Sequence, residues 1–235
     1  MYIGRGSSRS VVTAIVVVCS ILCVGFMLFA NAFLGFYLGI CNTRFVEKNC
    51  INEGVSARLG LTSDDMHKVI EQWMSSLKKG TEPSANVIIN GDNVEFFSTT
   101  DKEIINQASK RFILLRRLSY TFIGIAIALF LIVLLEGRAI ILRNTIAITW
   151  GILLFVGAAV MIFVQMNPAK FREGFFTDVI MRGKALEGWR AEIINHAMIK
   201  NGFVMEVCLF LIVQLLFLVF VNGFTGSKKD KKRRR

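Results

Sequence analysis

Residues 118–166 read LSYTFIGIAIALFLIVLL, then EGRAIILRN, then TIAITWGILLFVGAAVMIFVQM. Two apolar runs thus flank a nine-residue link that carries Arg138 and Arg143. About 20 apolar residues, each rising about 1.5 Å in a helix, match the roughly 30 Å hydrocarbon core of a bilayer. The stretch therefore predicts a hairpin of two transmembrane helices. Short loops are where Lys and Arg decide orientation, so this link is expected on the cytoplasmic side.

Upstream, an apolar run from Val11 to Ile40 follows Arg5 and Arg9; downstream, Phe203 to Phe224 precedes a tail in which Lys228 to Arg235 hold seven bases against Asp230. Basic N-terminus, basic link and basic tail share one side of the membrane only if the chain crosses four times. The first run is far longer than the roughly 7–15 apolar residues of a cleaved signal peptide, so it is expected to persist as an anchor. The expected fold class is mainly α: four transmembrane helices, both ends cytoplasmic, a small external α+β module between spans one and two, and an interfacial helical segment between spans three and four. The expected boundaries are 1–10 for the N-terminus, 11–40 for span one and 41–117 for the external module. Span two takes 118–135, the cytoplasmic link 136–144 and span three 145–166. The interfacial segment follows at 167–202, then span four at 203–224 and the basic tail at 225–235.

Composition agrees: 54% of residues are hydrophobic and mean hydropathy is +0.54. The net charge of +11 would raise nucleic acid as a partner for a soluble protein. Here more than half of it sits in the tail directly after a span, which reads as a topology anchor touching anionic lipid. No nucleic-acid partner is expected.

Within residues 41–117, Met66, Val69, Ile70, Trp73, Met74 and Leu77 recur at steps of three and four. That is one stripe of an amphipathic helix, opened by Thr62 or Ser63 with Asp64 and Asp65 in its first turn and ended by Gly80 and Pro83. Val87-Ile88-Ile89 and Val94-Glu95-Phe96-Phe97 flank Asn90-Gly91-Asp92-Asn93, a hairpin signal. Thr100 to Glu103 matches a capping box, and Ile104, Ile105, Ala108 and Phe112 carry the helix it opens toward span two. Across 167–202, Phe171, Phe175, Phe176, Val179 and Ile180 form an apolar stripe, and Trp189 suits headgroup depth.

Enzyme signatures of soluble proteins, such as a phosphate loop, G-x-S-x-G or H-E-x-x-H, are missing. With two histidines, His67 and His196, and no ligand spacing among the five cysteines, neither a metal nor a cofactor is expected. Cys41 and Cys50 follow the first span closely enough for a disulfide to be one alternative and free thiols the other. Glu206, four residues into an apolar run, needs a partner or the interface; Arg172, Arg190 and Lys200 are the candidate partners.

The layout resembles the bacterial lipoprotein intramolecular transacylases, over most of the chain. The similarity rests on Gly60-Leu61-Thr62 before the amphipathic helix, the hairpin, Phe96-Phe97-Ser98, Glu103 opening the pre-span helix, and Phe171, Phe175 and Phe176, which look like the family's F-H-x-x-F-F stretch. The resemblance implies a multi-pass protein of the bacterial cytoplasmic membrane that moves an acyl chain within a diacylglyceryl lipoprotein, from glycerol to the amino group of its N-terminal cysteine. Where the family pattern reads E-x-x-H-M-x-D, this chain has Glu103 to Ser109 with Asn106 at the histidine and Ser109 at the aspartate. Arg172 replaces the second histidine. Acyl migration needs a base and oxyanion stabilisation; histidine titrates near neutrality and Asn106 does not.

Two functions follow. In the first, an enzyme with a shifted site uses His196 as base and Asn106 and Arg172 as polarising groups, with Glu103, Ser109, Phe171, Phe175 and Phe176 contacting substrate. In the second, the protein binds membrane lipid or a lipoprotein N-terminus without catalysis and modulates a partner. A transporter ranks third, because four spans without paired intramembrane charges offer a poor path.

Overall fold

The structure, a computed structural model, describes residues 5–89, 91–167, 170 and 188–233, with side chains described between residues 10 and 223 except at 36 and 40. Helix α1 spans Arg5–Ile40, α2 Thr43–Asn52, α3 Val55–Leu59 and α4 Ser63–Lys79; strands β1 and β2 span Asn86–Ile89 and Asp92–Glu95; α5 spans Thr99–Leu135, α6 Ala139–Met166, α7 Trp189–Ile193 and α8 His196–Arg233. Four helices are long and apolar enough to cross a membrane: α1, α5, α6 and α8. The protein is a mainly α, multi-pass membrane protein with a two-stranded sheet.

The helices begin earlier than the apolar runs. Helix α6 starts at Ala139 and α8 at His196, and α5 runs unbroken for 37 residues from Thr99. At about 1.5 Å per residue that is roughly 55 Å, well beyond the hydrocarbon thickness, so α5 is at once a span and part of the polar module.

The chain divides into two compact units. The first comprises residues 1–33, 118–159 and 207–235. Its core is made of small and branched side chains: Val16, Cys23, Val24, Ala126, Val133, Leu142, Ile146 and Val221. The Cys23 thiol donates to the carbonyl of Ala126 at 3.3 Å, the Asn31 amide donates to that of Phe210 at 3.2 Å, and Arg138 donates to the Thr13 hydroxyl. Phe130 packs against Phe217 and Phe220. The last contact of Arg138 brings the basic link beside the start of span one.

The second unit comprises residues 34–117 and 160–206. Its core joins the stripe of α4 to Val46, Cys50, Val55, Phe97, Ile105, Phe112, Ile193 and Met198. The starts of α4 and α5 are capped by side chains. Thr62 accepts from the Asp65 N–H at 3.2 Å, and its hydroxyl donates back to the Asp65 carboxylate at 2.8 Å. The capping box of α5 lies two residues before the expected one: Ser98 accepts from the Asp101 N–H and Asp101 accepts from the Ser98 N–H, both at 3.1 Å. Glu103, expected to close a box, is exposed and accepts from Gln107.

The hairpin is tighter than expected. Asp92 and Asn93 pair with Ile89 and Ile88, which leaves two residues between the strands, and Gly91 has φ +92°. A two-residue turn with positive φ matches the right-handed twist of the strands. Trp189 stacks edge-on against Trp73 and Phe97 at 5.5 Å and tilted against Phe96 at 5.4 Å. Helix α7 is pinned by its neighbour as well: buried Arg190 pairs with buried Asp101 at 3.4 Å. Phe171, Arg172, Phe175, Phe176, Val179 and Ile180 lie outside the described residues.

Candidate functional site

Span one ends where Asn42 caps α2, accepting from the Phe45 N–H at 3.2 Å. The change of direction leaves a cavity of about 370 Å³ beside the last turn of α4. Tyr37, Leu38 and Cys41 come from the end of the span, Asn42, Thr43 and Arg44 from the cap and first turn of α2, and Lys78 from α4. The lining combines apolar side chains with polar and cationic ones.

Helix α5 adds a third cation. Arg116 donates to the Tyr37 hydroxyl at 3.1 Å, and its guanidinium lies 5.6 Å from the centre of the tyrosine ring. Phe112, one turn earlier, meets the same ring at 6.5 Å. The phenolic oxygen thus accepts from Arg116 and keeps its own hydrogen to donate. Among the described residues no carboxylate lies within ion-pair distance of Arg44, Lys78 or Arg116; the acidic groups that pair do so elsewhere. Among the described residues, the positive charge at the cavity has no carboxylate partner.

Cys41 does not add a nucleophile. Burial pushes its thiol up to about 12, although Lys78 and Arg116 pull it down; a thiol that high stays protonated at neutral pH and unreactive. Burial raises Cys50 to about 12 in the same way. Both are free cysteines, which decides between the two alternatives left by the sequence.

The residues singled out from the sequence fall apart into three groups. Asn106 and His196 are exposed, and no described contact joins them; Asn195 caps α8 just before His196, accepting from the Met198 N–H at 2.8 Å. Ser109 is buried, donates to the Asn106 carbonyl at 3.0 Å, and faces Gly80 at the end of α4. Arg172 and the three phenylalanines are outside the described residues. Glu206 has none of its three candidate partners among the described contacts: Arg190 belongs to Asp101, Lys200 is exposed, and Arg172 is not described. Its side chain packs where a Cβ on Gly35 would stand, 3.4 Å away. No group of His, Cys, Asp and Glu among the described residues is suited to hold a metal.

Sequence reasoning missed Tyr37, Arg44, Lys78 and Arg116. One signal was there. Lys110, Arg111, Arg116 and Arg117 put four bases into the eight residues before span two.

No protein-family model matches the chain, and no curated protein matches it. Solved structures do. The membrane integral lipoprotein intramolecular transacylase Lit from Bacillus cereus, in a histidine-to-arginine variant, superposes with a TM-score of 0.68 at 11% identity, over 96% of this chain and 97% of that one. A histidine-to-alanine variant of the same protein gives 0.64 at 13% identity over 97% and 100%, and a further crystal form gives 0.61 at 12% over 95% and 100%. The likeness runs nearly end to end on both chains, so this chain has the fold of that transacylase.

Proposed function

We propose that this membrane protein, built on the fold of a lipoprotein intramolecular transacylase, binds the acyl-bearing end of a lipid or lipoprotein at the cavity where span one ends. The observation that carries the reading is the mixed lining: Leu38 and the Tyr37 ring together with Asn42, Thr43, Arg44 and Lys78. A molecule with acyl chains and a polar head needs that juxtaposition at the membrane boundary. The parity of the basic segments puts this cavity on the non-cytoplasmic side, in the outer leaflet of a bacterial cytoplasmic membrane.

Binding without acyl transfer is favoured because Asn106 and His196 are exposed, with no described contact joining them, and burial keeps the Cys41 thiol protonated. The second reading, intramolecular acyl transfer, draws on the end-to-end likeness to Lit. Reconstitution with a diacylated lipopeptide separates the two. Retention of the lipopeptide with no new N-terminal acyl group by mass spectrometry is the expected result. Acyl migration would establish the second reading, and a lipopeptide that is not retained at all would sink the proposal.

A further inference from the structure

The cavity has more positive charge than a neutral glyceryl end requires. Arg44 and Lys78 line it, Arg116 reaches it through Tyr37, and none of the three has a carboxylate partner among the described residues. Holding three cations around one cavity is unfavourable by itself, since like charges a few ångströms apart repel and a low-dielectric wall strengthens the repulsion. The cost is recovered when an anion enters. Arginine's planar fork matches the oxygens of a phosphate, and lysine adds a point charge. Tyr37 and Thr43 supply hydroxyl donors, and Leu38, half-exposed at the end of the span, supplies the apolar edge on which a chain would lie.

We infer that the ligand of this cavity carries a phosphodiester: the headgroup of an anionic membrane phospholipid, held by Arg44, Lys78, Tyr37 and Arg116 at the end of span one. The inference rests on the proposed reading of the cavity as a lipid site and names its ligand class. In this arrangement Arg44 and Lys78 contact phosphate oxygens directly, while Arg116 acts as a positioning residue that fixes the Tyr37 hydroxyl. An anionic lipid held there, or exchanged against a lipoprotein, ties the site to the composition of the surrounding leaflet.

The test uses the full chain in neutral detergent and native mass spectrometry with four probes: dioleoyl phosphatidylglycerol, dioleoylglycerol, a diacylated lipopeptide and inorganic phosphate. Phosphatidylglycerol should be retained at least about tenfold over dioleoylglycerol, a difference of roughly 1.4 kcal/mol. Lys78→Gln and Arg44→Gln should each weaken that retention several-fold, and Lys78→Arg should restore it. Arg44 is exposed, so Arg44→Gln leaves the fold intact and keeps the test open if another variant misfolds; an unchanged melting temperature checks this. Equal retention of dioleoylglycerol, or no effect of either charge-removing variant, overturns the inference. Inorganic phosphate bound as well as the lipid overturns the headgroup as the source. Retention of the lipopeptide without a preference for phosphatidylglycerol leaves the proposed function standing and removes only this inference; retention of neither lipid nor lipopeptide removes both.

Discussion

The two units are held together by different physics. In the unit of residues 1–33, 118–159 and 207–235, side chains in the core are small or branched, and many large apolar residues face outward: Phe155 is 80% exposed and Ile148 66%. Lipid is as apolar as those side chains, so packing and backbone satisfaction set the structure there rather than burial from water. In the unit of residues 34–117 and 160–206, water is the competing solvent. There the chain spends its residues on caps, a buried ion pair and stacked aromatic rings. The same kind of substitution should therefore cost much more in the second unit than in the first.

The largest difference is expected for aromatic truncation. Trp73→Ala removes a ring that is 2% exposed and stacked on Trp189; it should cost about 3–5 kcal/mol, read as a lower melting temperature of the detergent-solubilised protein. Phe155→Ala in span three should change it by less than about 0.5 kcal/mol. Equal losses would erase the distinction.

Next comes the ion pair. Arg190→Met strands the Asp101 carboxylate, which still accepts from Ser98. A loss of about 2–3 kcal/mol is expected, and Asp101→Asn in the same background should recover part of it. A double-mutant cycle by thermal unfolding checks the coupling.

Gly80 is a smaller lever with two parts. It closes α4 at φ +76°, and a Cβ there would stand 3.4 Å from Ile113 Cδ1. Gly80→Ala should cost about 1–2 kcal/mol, with Gly151→Ala in span three, where a Cβ meets nothing, near zero.

The pH response should be smallest and confined to the polar unit. Thr62 and then Lys68 hold the Asp65 carboxyl below the usual carboxylate range. Desolvation raises Glu95, yet the bonds from Ser84 and the Ala85 N–H prevail and keep it low. A depressed carboxyl binds fewer protons folded than unfolded, so its stabilisation is present above the unfolded value, about 4. It is lost as pH falls through the folded value. Thermal unfolding between neutral and acidic pH should show a decline that Asp65→Asn diminishes, and a decline unchanged by that substitution would assign the effect elsewhere.

The sequence by itself determined the four spans, because twenty apolar residues admit hardly any other stable place than a bilayer. It determined the stripe of α4 as well, since a period of three to four is a property of one helix alone. The capping box was misplaced by two residues because Ser98-x-x-Asp101 and Thr100-x-x-Glu103 satisfy the same local rule; only packing of Phe97 into the core decides where the helix begins. The stacking of Trp189 was not legible because its partners, Trp73 and Phe96, are about a hundred residues away in sequence. The cavity was illegible for the same reason. Tyr37, Lys78 and Arg116 lie on three helices, none is unusual in its own neighbourhood, and their chemistry exists only as a juxtaposition. Solvent preference is written residue by residue, whereas a site is written in distances between residues, and tertiary packing alone sets those.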